Sequence, residues 1–152
     1  MIVTKGGHRK GVNTSSRFAV AVHILTLLAS GDDHPVTSEF VADSVNTNPV
    51  VIRRVLGALR DAKLVSSRTG VGGGWRLARQ PDAITLRDAY RAVEAETIFP
   101  LPQRSPNPAC PVGRAIQRSL EGVFRETEKA LDEHLARTTV AQILDSVRAP
   151  AR

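Results

Sequence analysis

The sequence predicts a mainly α-helical protein in which three short helices precede a two-stranded β-hairpin and one long helix follows near the C-terminus. Three observations support this fold class. Apolar residues recur with helical spacing before residue 62, a glycine-rich stretch separates two short extended segments at 64–77, and a long amphipathic pattern begins at residue 112. The chain of 152 residues has one cysteine, and it is long enough to bury a core without disulfide bonds.

The first predicted helix follows residues 1–13, which lack periodicity and are expected to form a flexible basic arm. The helix begins at a cap chosen from Thr14, Ser15 and Ser16, and it ends near Ser30. Because this segment is apolar nearly all round, we expect it to lie in the middle of the core.

A second helix fits Thr37 or Ser38 as its cap and continues to Val45. Asn46 then ends it, because asparagine can take the left-handed backbone conformation.

The third helix has the clearest boundary signals, with Asn48 as N-cap, Pro49 at the first position and an end near Ala62. At 100° per residue, one face of this helix carries the apolar residues Ile52, Val55, Leu56 and Leu59. The opposite face carries Val50, Arg53, Arg54 and Gly57. One side is therefore expected to pack, while the other presents two arginines that have no acidic residue four positions away on the same helix.

Residues 64–77 are expected to form a hairpin of two strands with a glycine-rich tip, and Trp75 is expected to pack beneath it. A fourth helix begins at Thr85, with Asp88 completing a capping box. Five prolines between Phe99 and Pro111 then exclude regular structure.

Beyond the prolines, the pattern predicts one amphipathic helix from Val112 to about Ala136 and a short helix from Val140 to Val147. The apolar stripe of the long helix includes Ile116, Leu120, Val123, Phe124 and Leu131. Because this stripe is longer than one small domain can cover, it predicts a homodimer.

The excess of positive over negative charge lies entirely in the first half of the chain. Residues 1–79 hold eleven basic and five acidic residues, whereas residues 80–152 hold ten of each. A local excess of this kind indicates an anionic partner, with nucleic acid as the first candidate and a membrane surface as the second. The apolar run at 18–29 is too short to span a bilayer, and His23 and Thr26 interrupt it, which disfavours a signal peptide. We expect a cytoplasmic protein without a membrane partner.

Three helices followed by a basic hairpin is the order of a winged helix-turn-helix, in which one helix enters the major groove of double-stranded DNA and the hairpin forms a wing. For Thr37 and Ser38, ordinary helix capping is an equally good interpretation. The residues that we expect at the DNA are Arg17, Thr37, Ser38, Thr47, Asn48, Pro49, Val50, Arg53, Arg54, Arg68, Gly70 and Gly72.

Four segments, TNPVVIRRVL at 47–56, GVGGGWRLAR at 70–79, ITLRD at 84–88 and NPACPVG at 107–113, resemble the Rrf2 family of bacterial winged-helix transcription regulators. The resemblance extends from about Ser15 to Leu144. It implies a homodimer that crosses long helices and binds a palindromic operator, usually as a repressor. Members that hold an iron–sulfur cluster carry three cysteines before the long helix. Because this chain has only Cys110, it resembles the single-cysteine branch, and we expect no cofactor and no metal.

Two interpretations of Cys110 stay open. Free cysteines are commonly buried and inert, but the N-terminus of a long helix favours a reactive thiolate that could sense an oxidant. The four histidines lack metal-ligand spacing, and the sequence contains no nucleophile or phosphate-loop motif, so we expect no enzyme. The competing function is a dimeric thiol-redox or small-ligand-binding protein that no longer binds DNA.

The predicted organisation has four parts: the arm at 1–13, the winged helix-turn-helix at 14–96, a proline-rich loop at 97–111 and dimerisation helices at 112–148.

Overall fold

A computed structural model describes residues 16–31, 34–94 and 97–149. The predicted arm and two of the cap candidates, Thr14 and Ser15, lie outside the described residues. The elements are α1 (Arg17–Ser30), α2 (Ser38–Val45), α3 (Pro49–Asp61), β1 (Val65–Arg68), β2 (Gly74–Leu77), a one-turn 3₁₀ helix (Pro81–Ala83), α4 (Leu86–Val93), α5 (Pro111–Leu135) and α6 (Val140–Arg148). The mainly helical fold class with one two-stranded sheet is confirmed.

Helix α1 lies in the middle of the core, as predicted. Ala21, Ile24 and Leu25 are fully buried, and the helix packs against α2, α3, α4, α6 and β2. Its start differs from the expectation in one respect. Ser16 occupies the N-cap position, but its side chain makes no capping hydrogen bond.

The boundaries of α2 and α3 follow the capping signals in the sequence. The Thr37 hydroxyl accepts a hydrogen bond from the Phe40 N–H at 3.2 Å, and the Asn48 side chain accepts one from the Val50 N–H at 2.8 Å. Asn46 ends α2 in the left-handed region, at φ 54°. The predicted inner face of α3 is buried in full and consists of Ile52, Val55, Leu56 and Leu59.

The hairpin of β1 and β2 is joined to the chain just before α2. Val36 donates a backbone hydrogen bond to the Trp75 carbonyl at 3.0 Å and accepts one from the Trp75 N–H at 2.8 Å. Next to this pair, Gly74 has φ 146°, and a Cβ there would lie 2.9 Å from both the Pro35 Cβ and the Val36 carbonyl oxygen. Trp75 packs on the core, which confirms the packing interpretation.

Helix α6 packs against the core and not along α5. The grouping of residues 112–148 as dimerisation helices stays a prediction. Within the chain itself, Val140 is fully buried in the core cluster, Leu144 is 8% exposed, and α6 packs against α1. The Val140 N–H donates to the Ile84 carbonyl at 2.9 Å, which joins α6 to the start of α4. An amphipathic pattern shows that one face is covered, but it does not identify the element that covers it.

Helix α5 begins at Pro111, one residue before the predicted start, and extends away from this core. The structure describes all 25 of its residues, and none of them is buried. Its C-terminal part is held to α4 by Asp132, which accepts a hydrogen bond from Arg91 at 2.8 Å and lies 3.7 Å from the guanidinium of Arg87. About two turns nearer the N-terminus of α5, Phe124 stacks on Phe99 with ring centroids 5.1 Å apart.

If α6 belongs to the core, Leu144→Ala will lower the free energy of unfolding by about 2–5 kcal/mol, because it removes a buried side chain and leaves a cavity. Val147→Ala on the same helix is the matched control, since Val147 is 69% exposed. That variant should change stability by less than about 0.5 kcal/mol. Urea unfolding followed by circular dichroism measures both, and equal effects of the two variants would contradict the assignment of α6 to the core.

Candidate DNA interface

The outward face of α3 is an exposed surface that combines positive charge with apolar groups. Arg53 and Arg54 are exposed, and so is Val50, at 48%. Gly57 lies on the same face, and a Cβ built there would meet nothing within 4 Å. The predicted division of α3 into a buried face and an exposed basic face is therefore observed. A helix of this kind fits the major groove, where arginine donors reach guanine O6 and N7.

Arg53 has an acidic partner that the sequence analysis did not identify. Its guanidinium Nη2 lies 3.8 Å from the Oε1 of Glu39, which belongs to the first turn of α2. The Ser38 hydroxyl donates to the other carboxylate oxygen, Oε2, at 3.3 Å. As predicted, no acidic residue lies four positions from Arg53 on α3 itself. Glu39 reaches Arg53 from α2, which crosses next to α3, and helical spacing reports only neighbours on the same helix.

The other predicted contacts at helix N-termini are placed as follows. Arg17 is exposed as the first residue of α1, and Thr37 is exposed and caps α2, so that the capping interpretation of its hydroxyl is confirmed. At the start of α3, Asn48 is exposed, while Thr47 and Pro49 are half-buried. Helix N-termini present backbone N–H groups and the positive end of the helix dipole, which favour phosphate oxygens.

The strand register of the wing places two arginines on its outward face. Arg68 pairs with Gly74, and Ser66 pairs with Arg76. Paired residues share a face of the sheet and successive residues alternate, so Arg68 and Arg76 lie on the same side, and both are exposed. Arg76 was missed, although alternation along β2 would have identified it.

The tip of the wing depends on glycines with positive φ. Gly70 has φ 91° and Gly72 has φ 71°, and both are exposed. L-residues rarely adopt these values, so the two predicted glycines shape the turn at the end of the wing, with the exposed Val71 between them.

Arg79 stabilises the fold beneath this surface. Its Nε donates to the Lys63 carbonyl at 3.3 Å, and its Nη2 donates to the Ala62 carbonyl at 3.4 Å. These carbonyls lie just beyond the C-terminus of α3, where Lys63 turns the chain at φ 59°. A cation at the C-terminus of a helix also interacts favourably with the helix dipole. This part of the basic excess thus holds α3 against the end of the hairpin.

The predicted dimerisation stripe lies along α5 and is only partly covered. Val123 is 57% exposed and Ile116 is 37% exposed. Leu120, Phe124 and Leu131 are half-buried, with Phe124 packed on Phe99. Across this stripe, large apolar side chains face solvent over several helical turns.

Cys110 occupies the N-cap position of α5 and is exposed, and its side chain makes no capping hydrogen bond. The exposure that the redox interpretation requires is present. Over the described ranges 16–31, 34–94 and 97–149, no three His, Cys, Asp or Glu side chains converge where they could hold a metal ion. In the same ranges, no helix is both long and apolar enough to cross a membrane.

A helix-turn-helix with a basic outer face on α3, followed by a wing that is hydrogen-bonded to the segment just before α2, defines a winged-helix DNA-binding protein. The family model Rrf2, described as iron-dependent transcriptional regulator, matches residues 14–146. The chain belongs to the Rrf2 family of DNA-binding transcriptional regulators, which are not enzymes.

Individual relatives agree with this assignment. YwnA of Bacillus subtilis (strain 168), named as an HTH-type transcriptional regulator, is 40% identical over 131 residues, which cover 86% of this chain and 96% of YwnA. The structure of CymR, the global cysteine regulator of B. subtilis, matches with 26% identity and a TM-score of 0.65, covering 90% of this chain and 98% of CymR. IscR of T. potens, at 23% identity, TM-score 0.69 and coverage of 93% and 94%, shares the fold.

The family description names iron, but neither the cysteine content of the sequence nor the described side chains fit an iron site. Cys110 is the one cysteine of the sequence, and a cysteine-held cluster needs three or four thiolates. The described residues also bring no alternative group of three ligands together.

Proposed function

We propose that the protein is a homodimeric repressor that acts in the cytoplasm and binds a palindromic operator through α3 and the wing. The observation that carries this proposal is the division of α3 into a fully buried face and an opposite, exposed face with Arg53 and Arg54. The residues proposed to contact DNA are those expected from the sequence, with Arg76 added: Arg17, Thr37, Ser38, Thr47, Asn48, Pro49, Val50, Arg53, Arg54, Arg68, Gly70, Gly72 and Arg76.

In the proposed complex with DNA, α3 and the wing contact different parts of the double helix. The N-terminal half of α3 enters the major groove, where Val50 can contact a thymine methyl group and Arg54 a guanine edge. The wing carries Arg68 and Arg76 to phosphates or into the adjacent minor groove. Phosphate contacts fix the register, and base contacts fix the sequence.

The proposed dimerisation is supported by the absence of buried residues in α5. A helix of 25 residues is about 37 Å long, and no residue of α5 is buried by the part of the chain that the structure describes. A second copy that crosses α5 would cover its apolar stripe. It would also set two α3 helices at a fixed separation, which is what a palindromic operator with half-sites about one helical turn apart requires. A dimer bound there represses by occupying the promoter.

We also propose that an oxidant acts on this regulator at Cys110. The thiol is exposed, and it lies where the proline-rich loop enters α5. Oxidation by peroxide to a sulfenic acid adds one oxygen atom to the sulfur and releases water. The added polar group would lie between the DNA-binding helices and the proposed dimer helix, where a small displacement changes the separation of the two α3 helices.

The two kinds of arginine should lose different properties when they are truncated. Arg54→Ala should reduce discrimination between operator and mismatched sites by about 1–3 kcal/mol, because Arg54 is proposed to read a base edge. Arg68→Ala should weaken binding to all sequences alike and lower the salt slope by about one unit, because it is proposed to contact a phosphate. Selection of bound sequences from random DNA supplies the operator, and titrations over a salt series measure both quantities.

Arg60→Ala is the control for these titrations, because Arg60 is paired with Asp61 near the end of α3 at 3.7 Å. If Arg54→Ala keeps full discrimination, Arg54 is a surface charge only. An unchanged salt slope for Arg68→Ala would remove the wing arginine from the phosphate contacts.

Val123→Glu should dissociate the dimer at micromolar concentration, because it buries an unpaired charge in the proposed interface. Arg125→Glu introduces the same side chain on the opposite side of α5 and should leave the dimer intact. Analytical ultracentrifugation measures the mass of each variant. A full dimer in Val123→Glu would contradict the proposed interface.

Peroxide should weaken operator binding by the parent protein, a thiol reductant should restore it, and Cys110→Ser should not respond. The physical reason is that serine lacks the sulfur on which the sulfenic acid forms. Mobility shifts before and after treatment, with mass spectrometry of the oxidised chain, test this. Equal sensitivity of the two proteins would make Cys110 a structural residue.

A further inference from the structure

The acidic side chain of Glu39 lies within the basic surface that is proposed to meet DNA. Its Oε1 forms an ion pair with the guanidinium of Arg53 at 3.8 Å, and its Oε2 accepts a hydrogen bond from the Ser38 hydroxyl at 3.3 Å. Glu39 is 67% exposed and Arg53 is 58% exposed. An incoming polyanion would therefore meet the carboxylate together with the arginine.

Fold stability does not account for the placement of this pair. Exposed ion pairs contribute little, since solvent and salt screen them. A carboxylate in the first turn of α2 also interacts favourably with the helix dipole, but that benefit does not depend on Arg53. Near a DNA backbone, in contrast, the negative charge of Glu39 would repel phosphates whatever the base sequence.

The pairing changes what Arg53 can bind. A guanidinium has five N–H donors, so an arginine held by one carboxylate keeps donors for a second planar acceptor. A phosphate placed on that arginine would also lie close to the Glu39 carboxylate and be repelled by it. A guanine edge, which presents neutral O6 and N7 acceptors, is repelled far less.

We propose that Glu39 is a specificity-determining residue of the DNA interface. It acts through Arg53, whose guanidinium it holds away from phosphates and leaves available to a base edge. It thereby lowers the affinity for non-specific DNA more than the affinity for the operator. The inference rests on the proposed function, because it requires the outer face of α3 to contact DNA.

The test is Glu39→Gln, which removes the charge and keeps the size of the side chain and an oxygen that can accept from Ser38. Dissociation constants are measured for the selected operator and for a scrambled duplex of the same length at one salt concentration. Glu39→Gln should bind the scrambled duplex about three- to tenfold more tightly and gain less on the operator. The ratio of the two affinities should fall by about threefold or more.

Two further variants separate this role from simple charge removal. Asp61→Asn also neutralises the acid of an exposed arginine pair, that of Arg60 on the same α3 helix, and should leave the affinity ratio unchanged. In an Arg53→Ala background, Glu39→Gln should no longer change the ratio, because its effect passes through Arg53.

A constant ratio in Glu39→Gln, with both duplexes bound more tightly to the same degree, would overturn the inference. A lowered ratio that persists in the Arg53→Ala background would overturn it as well. Failure of the proposed function has a different result, since the parent protein would then show no preference for any selected DNA. A parent that prefers its operator while Glu39→Gln keeps the ratio leaves the function intact and removes only the role of Glu39.

Discussion

The position of the wing relative to the helices depends on the two backbone hydrogen bonds between Val36 and Trp75. Val36 immediately precedes Thr37, the cap of α2, so these bonds join the start of α2 to strand β2 of the hairpin. The approach is close enough that a Cβ at position 74 would overlap Pro35, and the backbone there has a φ that favours glycine. Trp75 then packs on the core from the inner side of the sheet. The outward arginines of the wing are thus held in a fixed relation to the outer face of α3.

A second constraint connects this DNA-binding unit to α5. The Asp132 carboxylate forms ion pairs with Arg91 and Arg87, and both arginines belong to α4. The Ile98 N–H donates to the Glu128 carboxylate at 3.0 Å, and Phe99 stacks on Phe124, so the loop also follows the helix. These contacts lie along the side of α5 that faces its own chain. The apolar groups beyond them are the part of the structure that a second copy would have to complete.

Local signals in the sequence were enough to predict most of the fold. Caps at Thr37, Asn48 and Thr85 and the left-handed Asn46 mark helix ends because they act within four residues of the chain. The buried face of α3 follows from periodicity alone. Parts of the candidate DNA interface that lie on a single element were also predictable from local signals. They are the outer face of α3 and the glycine tip of the wing.

What the sequence did not reveal depends on contacts between elements. Glu39 reaches Arg53 from another helix, Arg79 reaches carbonyls sixteen and seventeen positions earlier in the chain, and α6 packs on α1. No periodic pattern encodes such pairings, because periodicity describes one element at a time. Arg76 differs from these cases, since strand alternation carried the signal.

These tertiary contacts determine which basic residues are available to bind phosphates. The seven basic residues between 53 and 79 are Arg53, Arg54, Arg60, Lys63, Arg68, Arg76 and Arg79. Arg79 is bonded to carbonyls at the end of α3, while Arg53 and Arg60 each have a carboxylate within 4 Å. The salt dependence of DNA binding counts the phosphates that cations neutralise. A cation already paired with a carboxylate neutralises fewer phosphates, so the salt slope should reflect the wing arginines Arg68 and Arg76 more than the net charge of the chain. Composition correctly indicated a polyanionic partner, but the arrangement of acids and carbonyls around the arginines determines how that partner is bound.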